Sequence, residues 1–173
     1  TTGPDGSYVF TGVPAGNYTV TETQPNGYLD GKDSGGNSGG TVTDDRVSNV
    51  SLPFGVSTAV TGVNFGEQLP AKLSGYVYVD AGDDGVKGAG ETPIAGVTVT
   101  LSGTDNLGNP VTATATTNAL GFYEFTGLRP GSYTVTETQP GAYSDGKDTA
   151  GTTGGTAGND VISNITLGSG ADS

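Results

Sequence analysis

The sequence predicts an all-β protein: tandem β-sandwich domains of about seven short strands each. Three observations predict this. Apolar residues recur with period two, and no stretch shows a helical period. Thr and Val dominate these runs, and Gly, Pro, Asn and Asp punctuate them. The chain also repeats itself. Thr-Val-Thr-Glu-Thr-Gln-Pro at 19–25 returns at 134–140. The same offset of 115 residues relates Tyr8 to Tyr123, Phe10 to Phe125 and Asn49 to Asn164. Residues 1–58 align with 116–173 without a gap, with about half the positions identical. A unit of that length is domain-sized, not solenoid-sized.

Each element has a local justification. In 73–79, Leu73, Val77 and Val79 share one face of a strand. In 97–101, Val97, Val99 and Leu101 point one way and Thr98 and Thr100 the other. Residues 111–117 alternate with small residues. A turn at 118–121 leads into 122–126, where Tyr123 and Phe125 share a face. Pro130 and Gly131 turn the chain, and Tyr133 and Val135 follow on one face. Residues 162–167 supply another strand. The last strand is seen only in the first copy, over 59–65, with Val63 and Phe65 on one face. Residues 33–43 and 148–156 read as long Gly/Ser/Thr loops.

These elements divide the chain into residues 1–67, the C-terminal part of one repeat; a Pro70-containing linker at 68–71; and a second repeat at 72–173 lacking its last strand. The frame implies that neighbouring sequence lies outside the chain. The alternative is strand exchange between chains, since an incomplete sandwich exposes a pairing edge.

Composition narrows the function. Only 32% of residues are hydrophobic, and 32 of 173 are Gly. Concentrating the apolar residues in alternating runs is how a thin sandwich builds a core. The alternation argues against disorder everywhere except 33–43. Eighteen acidic residues face six basic ones, for a net charge of −12. Nucleic acid and anionic membranes are poor partners for such a surface, and a cation is its natural complement. No membrane-inserting run is present. With neither His nor Cys, there is no Ser/His/Asp or Cys/His arrangement and no thiol chemistry. An enzyme is not expected. Three sequons, at Asn17, Asn49 and Asn164, are attributed to chance in a Thr-rich chain.

Three stretches carry a resemblance: Gly75-Tyr-Val-Tyr-Val-Asp80 running on to Glu91, Tyr133-Thr-Val-Thr-Glu-Thr-Gln-Pro140 with its copy at 18–25, and Val63-Asn-Phe-Gly-Glu67. In this order and spacing the chain resembles the SdrD B-like domains of bacterial surface proteins, relatives of the Cna B-type domains. The resemblance implies a prealbumin/Ig-like β-sandwich, repeated in the stalk of a large extracellular protein and often loaded with calcium.

Residues 80–91 fit a twelve-residue calcium loop. Asp80 is position 1, Asp84 position 5, Gly85 the sharp turn, Val86 the carbonyl at 7 and Glu91 the bidentate carboxylate at 12. Hard Ca²⁺ needs many oxygens, and this spacing wraps them around one point. Gly82 and Gly88 stand where two further ligands belong, Asp83 offers a substitute, and the loop follows a strand. Binding is therefore expected in the ~10⁻⁴–10⁻³ M range of extracellular modules. Asp30 and Asp33, with their copies Asp145 and Asp148, are candidates for a second oxygen site.

Alternation also places Glu22 and Glu137 on the core face, where a lone carboxylate is costly. In the Cna B-type relatives such a Glu assists a Lys–Asn crosslink. The Lys position here is Tyr78 and the Asn position is Glu67, so no crosslink is expected. Glu137 is expected to accept backbone hydrogen bonds at the strand end.

The expected function is structural: a spacer or fibre segment of a cell-surface or secreted protein, stiffened by weakly bound Ca²⁺. Its partners would be neighbouring repeats of its own chain. An adhesive module for a host protein or glycan is the alternative, with Tyr28 and Tyr143 as contact aromatics. A filament subunit joining identical chains by strand exchange is another.

Overall fold

The computed structural model describes residues 1–55 and 59–173, and every regular element among them is a strand. The chain divides into two compact units, Thr1–Glu67 and Gln68–Ser173.

The first unit contains β1 (Gly16–Thr21), β2 (Leu29–Asp30), β3 (Ser34–Gly35), β4 (Thr41–Thr43), β5 (Arg46–Leu52) and β6 (Val63–Asn64), and β7 (Glu67–Gln68) lies at its end. Strands β1, β5 and β4 form an antiparallel sheet over buried Val47 and Val50. Residues 33–43 are not a free loop. β3 pairs with β6, and Ser38 is buried, its hydroxyl accepting the Gly40 amide. The strand expected over 59–65 shortens to β6, because Gly62 adopts a left-handed conformation just before it.

The second unit contains β8 (Ala71–Tyr76), β9 (Thr98–Asp105), β10 (Pro110–Thr116), β11 (Phe122–Leu128), β12 (Gly131–Glu137), β13 (Thr156–Gly158) and β14 (Val161–Leu167). One sheet runs β10-β9-β12-β14-β13 and the other pairs β11 with β8. Strand β13 begins at Thr156, the last residue of the stretch expected as a loop, and its three small residues carry no alternation. Leu73, Val77, Tyr123 and Phe125 from the small sheet and its extension meet Val99, Leu101, Tyr133, Val135 and Ile165 from the large one. The alternation of each run survives as one buried face per strand, which is the sandwich the sequence predicts. Residues 68–71 lie with this unit. The Leu69 amide donates to Ser169 Oγ, and Ala71 is fully buried at the start of β8.

Two devices recur at the 115-residue offset. The Tyr18 hydroxyl donates to Pro14 O at 2.8 Å, and the Tyr133 hydroxyl to Arg129 O at 2.7 Å. Each ties a strand to the turn before it. The second device is a bulge. Pairing of β1 with β5 slips between Tyr18 and Val20, and pairing of β12 with β14 slips between Tyr133 and Val135. Asn49 and Asn164 sit in these bulges at φ 58° and 57°. Asn is among the few side chains that tolerate this region, which explains its recurrence better than chance sequons do. Asn164→Val is expected to lower stability by about 1–2 kcal/mol, while Asn164→Gly stays near the parent. The midpoint of urea unfolding checks this.

Pairing, not local sequence, decides one difference between the copies. Residues 7–13 share the pattern of β11 but form no strand, and Phe10 is 68% exposed where Phe125 is 5% exposed. β11 has β8 beside it; among the described residues nothing pairs with 7–13.

Candidate functional site

Two-residue turns build the site in each copy. Thr43 pairs with Arg46 and Gly158 with Val161, leaving Asp44-Asp45 and Asn159-Asp160 as hairpin turns. Asp45 and Asp160 are left-handed, at φ 53° and 57°. Each turn reaches the end of a neighbouring strand. The Glu22 amide donates to Asp45 O at 2.9 Å, and the Glu137 amide to Asp160 O at 2.8 Å.

Carboxylates converge there. In the first unit, oxygens of Glu22, Asp45 and Glu67 lie within 4.8 Å of one another, and so do oxygens of Asp30, Asp33 and Asp45. Asp45 belongs to both groups. Glu22 Oε2, Asp45 Oδ1 and Glu67 Oε1 are buried and have no hydrogen-bond partner among the described residues. Burial, then the charges of Glu67, Asp45 and Asp33, push the Glu22 carboxyl up. Asp30 is pushed up to about 7, first by its hydrogen bond with the Asp44 carboxyl and then by burial.

The second unit brings the equivalent Glu137, Asp145, Asp148 and Asp160 close enough to repel one another, but among the described residues no three of their oxygens gather within 4.8 Å. Glu137 is pushed up to about 7 by burial and by Asp160, Asp148 and Asp145. Burial and Asp145 raise Asp160, and burial raises Asp148 against the Asp160 amide that its Oδ2 accepts at 2.8 Å. The expectation that Glu137 accepts backbone hydrogen bonds is not met. Among the described residues its carboxylate accepts none, and it faces three other carboxylates instead.

The structure thus joins Asp30 and Asp33 to Glu22 and Asp45, and Asp145 and Asp148 to Glu137 and Asp160. Sequence reading missed Asp45, Asp160 and Glu67 as members. Asp45 and Asp160 recur at the repeat offset, but a period-two pattern says nothing about which turns meet which strand ends.

The 80–91 loop is folded differently. Asp80 Oδ1 and Oδ2 accept the amides of Asp84 and Gly85 at 3.2 and 2.9 Å. Glu91 accepts from Ala81 and Gly88, and Asp84 from Val86. Asp83 lies 3.7 Å from Lys147 Nζ, which also donates to the Asp83 carbonyl. The Gly85 amide bond holds the Asp80 carboxyl low. Gly85 makes the sharp turn at φ 71°. The carboxylates of Asp80, Asp84 and Glu91 are hydrogen-bonded to the loop's own backbone and, among the described residues, are not among the carboxylate trios gathered within 4.8 Å.

Comparison with known proteins decides the family. The SdrD B-like domain model matches residues 71–171, more than half of the chain. The chain belongs to the SdrD B-like domain family. This SdrD B-like chain is 36% identical over 157 residues to Serine-aspartate repeat-containing protein F of Staphylococcus epidermidis, covering 87% of its own length and 8% of the relative. It is 36% identical over 144 residues to Bone sialoprotein-binding protein of Staphylococcus aureus, covering 82% of itself and 12% of that protein. Colossin-A of Dictyostelium discoideum is 33% identical over 144 residues, covering 83% of the chain and 1% of that protein. The SdrD B-like chain therefore spans about a tenth or less of these relatives, none of which is named for an enzymatic activity. No solved structure matches it significantly. Among the described residues no helix is long and apolar enough to cross a membrane.

Proposed function

We propose that the chain is a segment of the extended stalk of a cell-surface or secreted protein, and that Ca²⁺ held by the carboxylate clusters stiffens each repeat. The observation that carries this is the gathering of Glu22, Asp30, Asp33, Asp45 and Glu67 oxygens in trios within 4.8 Å in the first unit, with Glu137, Asp145, Asp148 and Asp160 recurring at one offset and crowding Glu137 in the second. Crowded carboxylates repel and resist ionisation unless a cation neutralises them. The donors are all oxygen, as hard Ca²⁺ prefers, and buried oxygens of Glu22, Asp45 and Glu67 have no competing donor. A cation bridging a strand end, a hairpin turn and the Asp30–Asp33 loop would rigidify the end of the sandwich. Tandem repetition and relatives named for repeats support a stalk.

The 80–91 loop is proposed as a second, weaker site. Asp80, Asp84 and Glu91 would bind through side chains, Val86 through its carbonyl, and Asp83 once released from Lys147. Calcium titration by calorimetry tests both. Asp45→Asn/Asp160→Asn is expected to remove the tighter events at least tenfold in affinity, and Asp80→Ala/Glu91→Ala only a weak one near ~10⁻³ M. Heat identical in EDTA-treated parent and the Asp45→Asn/Asp160→Asn variant would sink the proposal.

Adhesion is the second reading. Tyr28 and Tyr143 are 47% and 44% exposed at equivalent positions, and one relative is named for binding bone sialoprotein.

A further inference from the structure

The two copies differ at one turn that the cation reading does not use. The β1–β2 connection contains Pro25-Asn26-Gly27-Tyr28, and its counterpart is Pro140-Gly141-Ala142-Tyr143. Both close as turns. The Tyr28 amide donates to Pro25 O at 3.3 Å, and the Tyr143 amide to Pro140 O at 3.0 Å. Gly27 stands at φ 87°, the conformation that the third position of a type II turn reserves for Gly. Ala142 holds the same place without a positive φ.

Asn26 is the only Asn of the chain that Gly follows. The pair matters chemically. The backbone nitrogen after an Asn can close a five-membered ring on the Asn side-chain carbonyl carbon, and a side chain on the following residue obstructs that closure. Gly27 has none, and a Cβ built there would meet nothing within 4 Å. Both residues are exposed. Among the described residues neither the Asn26 side chain nor the Gly27 amide takes part in a hydrogen bond. Two long bonds brace the turn, Tyr28 N to Pro25 O and Gln24 Nε2 to Tyr28 O, each at 3.3 Å. Such a turn opens readily toward the ring geometry.

Other Asn residues show what protection looks like. Asn37 precedes the small Ser38, but its Oδ1 accepts the Thr61 amide at 2.7 Å and its Nδ2 donates to Ala59 O at 3.2 Å. The Ser38 amide is committed to Gly35 O at 3.1 Å. Asn118 Oδ1 accepts the amides of Leu120 and Phe122. Asn109 precedes Pro110, which has no amide proton to lose.

We propose that Asn26-Gly27 is a site of spontaneous deamidation, a covalent modification confined to the first unit. The Gly27 nitrogen loses its proton to hydroxide and attacks Asn26 Cγ. The new N–C bond closes a succinimide, and Nδ2 takes a proton from water and leaves as ammonia. Water then adds to one ring carbonyl and breaks its bond to the ring nitrogen. Opening at the backbone carbonyl leaves isoaspartate, with one extra methylene in the main chain; opening at Cγ leaves Asp. One water is consumed, one ammonia is released, and nothing is oxidised. Either product adds a negative charge to a chain already at −12. The charge falls midway between Glu22 and Asp30, four residues from each, on the segment that carries both into the first carboxylate cluster. Isoaspartate also lengthens that segment. The second unit, with Gly141-Ala142, keeps its charge and its turn, so the two repeats age differently.

Incubation of the folded full chain at neutral and mildly alkaline pH, followed by ammonia release and peptide mapping, tests this. EDTA is kept in the buffer, so that the result does not depend on cation binding. One ammonia per chain is expected, faster at the higher pH, with isoaspartate and Asp together at position 26. Peptides carrying Asn37 and Asn118 are expected to stay unchanged. Gly27→Ala is expected to slow the release at least tenfold and to keep the fold, since the second unit closes the same turn with Ala142. Isoaspartate is read on the parent chain and needs no variant. Four results would overturn the proposal: no release from the folded chain where the urea-unfolded chain does release, equal release at other Asn residues, equal release by the Gly27→Ala chain, or Asp at position 26 without isoaspartate.

Discussion

Leu101→Ala is expected to lower the unfolding transition of the second unit by more than about 10 °C, the largest effect of any single substitution considered. Leu101 is fully buried in β9, the strand paired on both sides by β10 and β12. It faces the small sheet across a core of fourteen buried residues. Truncation removes transfer free energy and leaves a cavity that a two-sided sheet cannot collapse, a cost of about 2–5 kcal/mol. For a domain of about 100 residues each kcal/mol shifts the transition by roughly 4–8 °C. Val47→Ala supplies the contrast. Val47 is as deeply buried, but in the first unit, whose buried hydrophobics among the described residues are Val47 and Val50. It is expected to leave the second unit's transition in place. Calorimetry of the whole chain separates the cases. A single transition moved equally by both substitutions would show that the units unfold as one.

The same contrast explains what sequence could reveal. Strands β9, β11, β12 and β14 were legible because each carries an apolar face of period two; burial follows that face through β9 and β12, and shifts phase at the irregularities in β11 and β14. The family was legible because three motifs keep their order. Strand β13 was not, because Thr156, Ala157 and Gly158 present no face; pairing with β14 alone makes them a strand. Residues 7–13 fail in the opposite sense, with a good pattern and no partner. At the site, Glu22 and Glu137 stood out as charges on a core face. Their company did not, because Asp45 and Asp160 reach them through left-handed hairpin turns. No one-dimensional period encodes that step. The 80–91 loop shows the reverse bias. A ligand-like spacing is easy to see, yet backbone amides already occupy much of what those carboxylates offer.

Glu137→Gln separates a cation site from a merely crowded strand end, because its effect is expected to change sign with Ca²⁺. Without the ion, Glu137 is half-buried among Asp160, Asp148 and Asp145, and its carboxyl resists ionisation up to about 7. At neutral and higher pH the folded chain must hold that charge against three others, whereas the unfolded chain holds it in water. The neutral isostere removes the repulsion, and solvent screening limits the gain to about 1–2 kcal/mol. In EDTA the variant therefore melts higher than the parent. In millimolar Ca²⁺ the parent gains binding energy, about 1.4 kcal/mol at 1 mM for a Kd of ~10⁻⁴ M. The variant has lost a charged ligand and gains less, so the order of melting temperatures reverses. Glu22→Gln is expected to behave alike in the first unit. A variant more stable in both conditions would mean that no cation uses these carboxylates. One less stable in both would mean that Glu137 supports the fold through contacts of its own. The reversal alone requires that the fold keep a repulsive cluster for the sake of an ion, trading metal-free stability for a repeat that stiffens when Ca²⁺ is present.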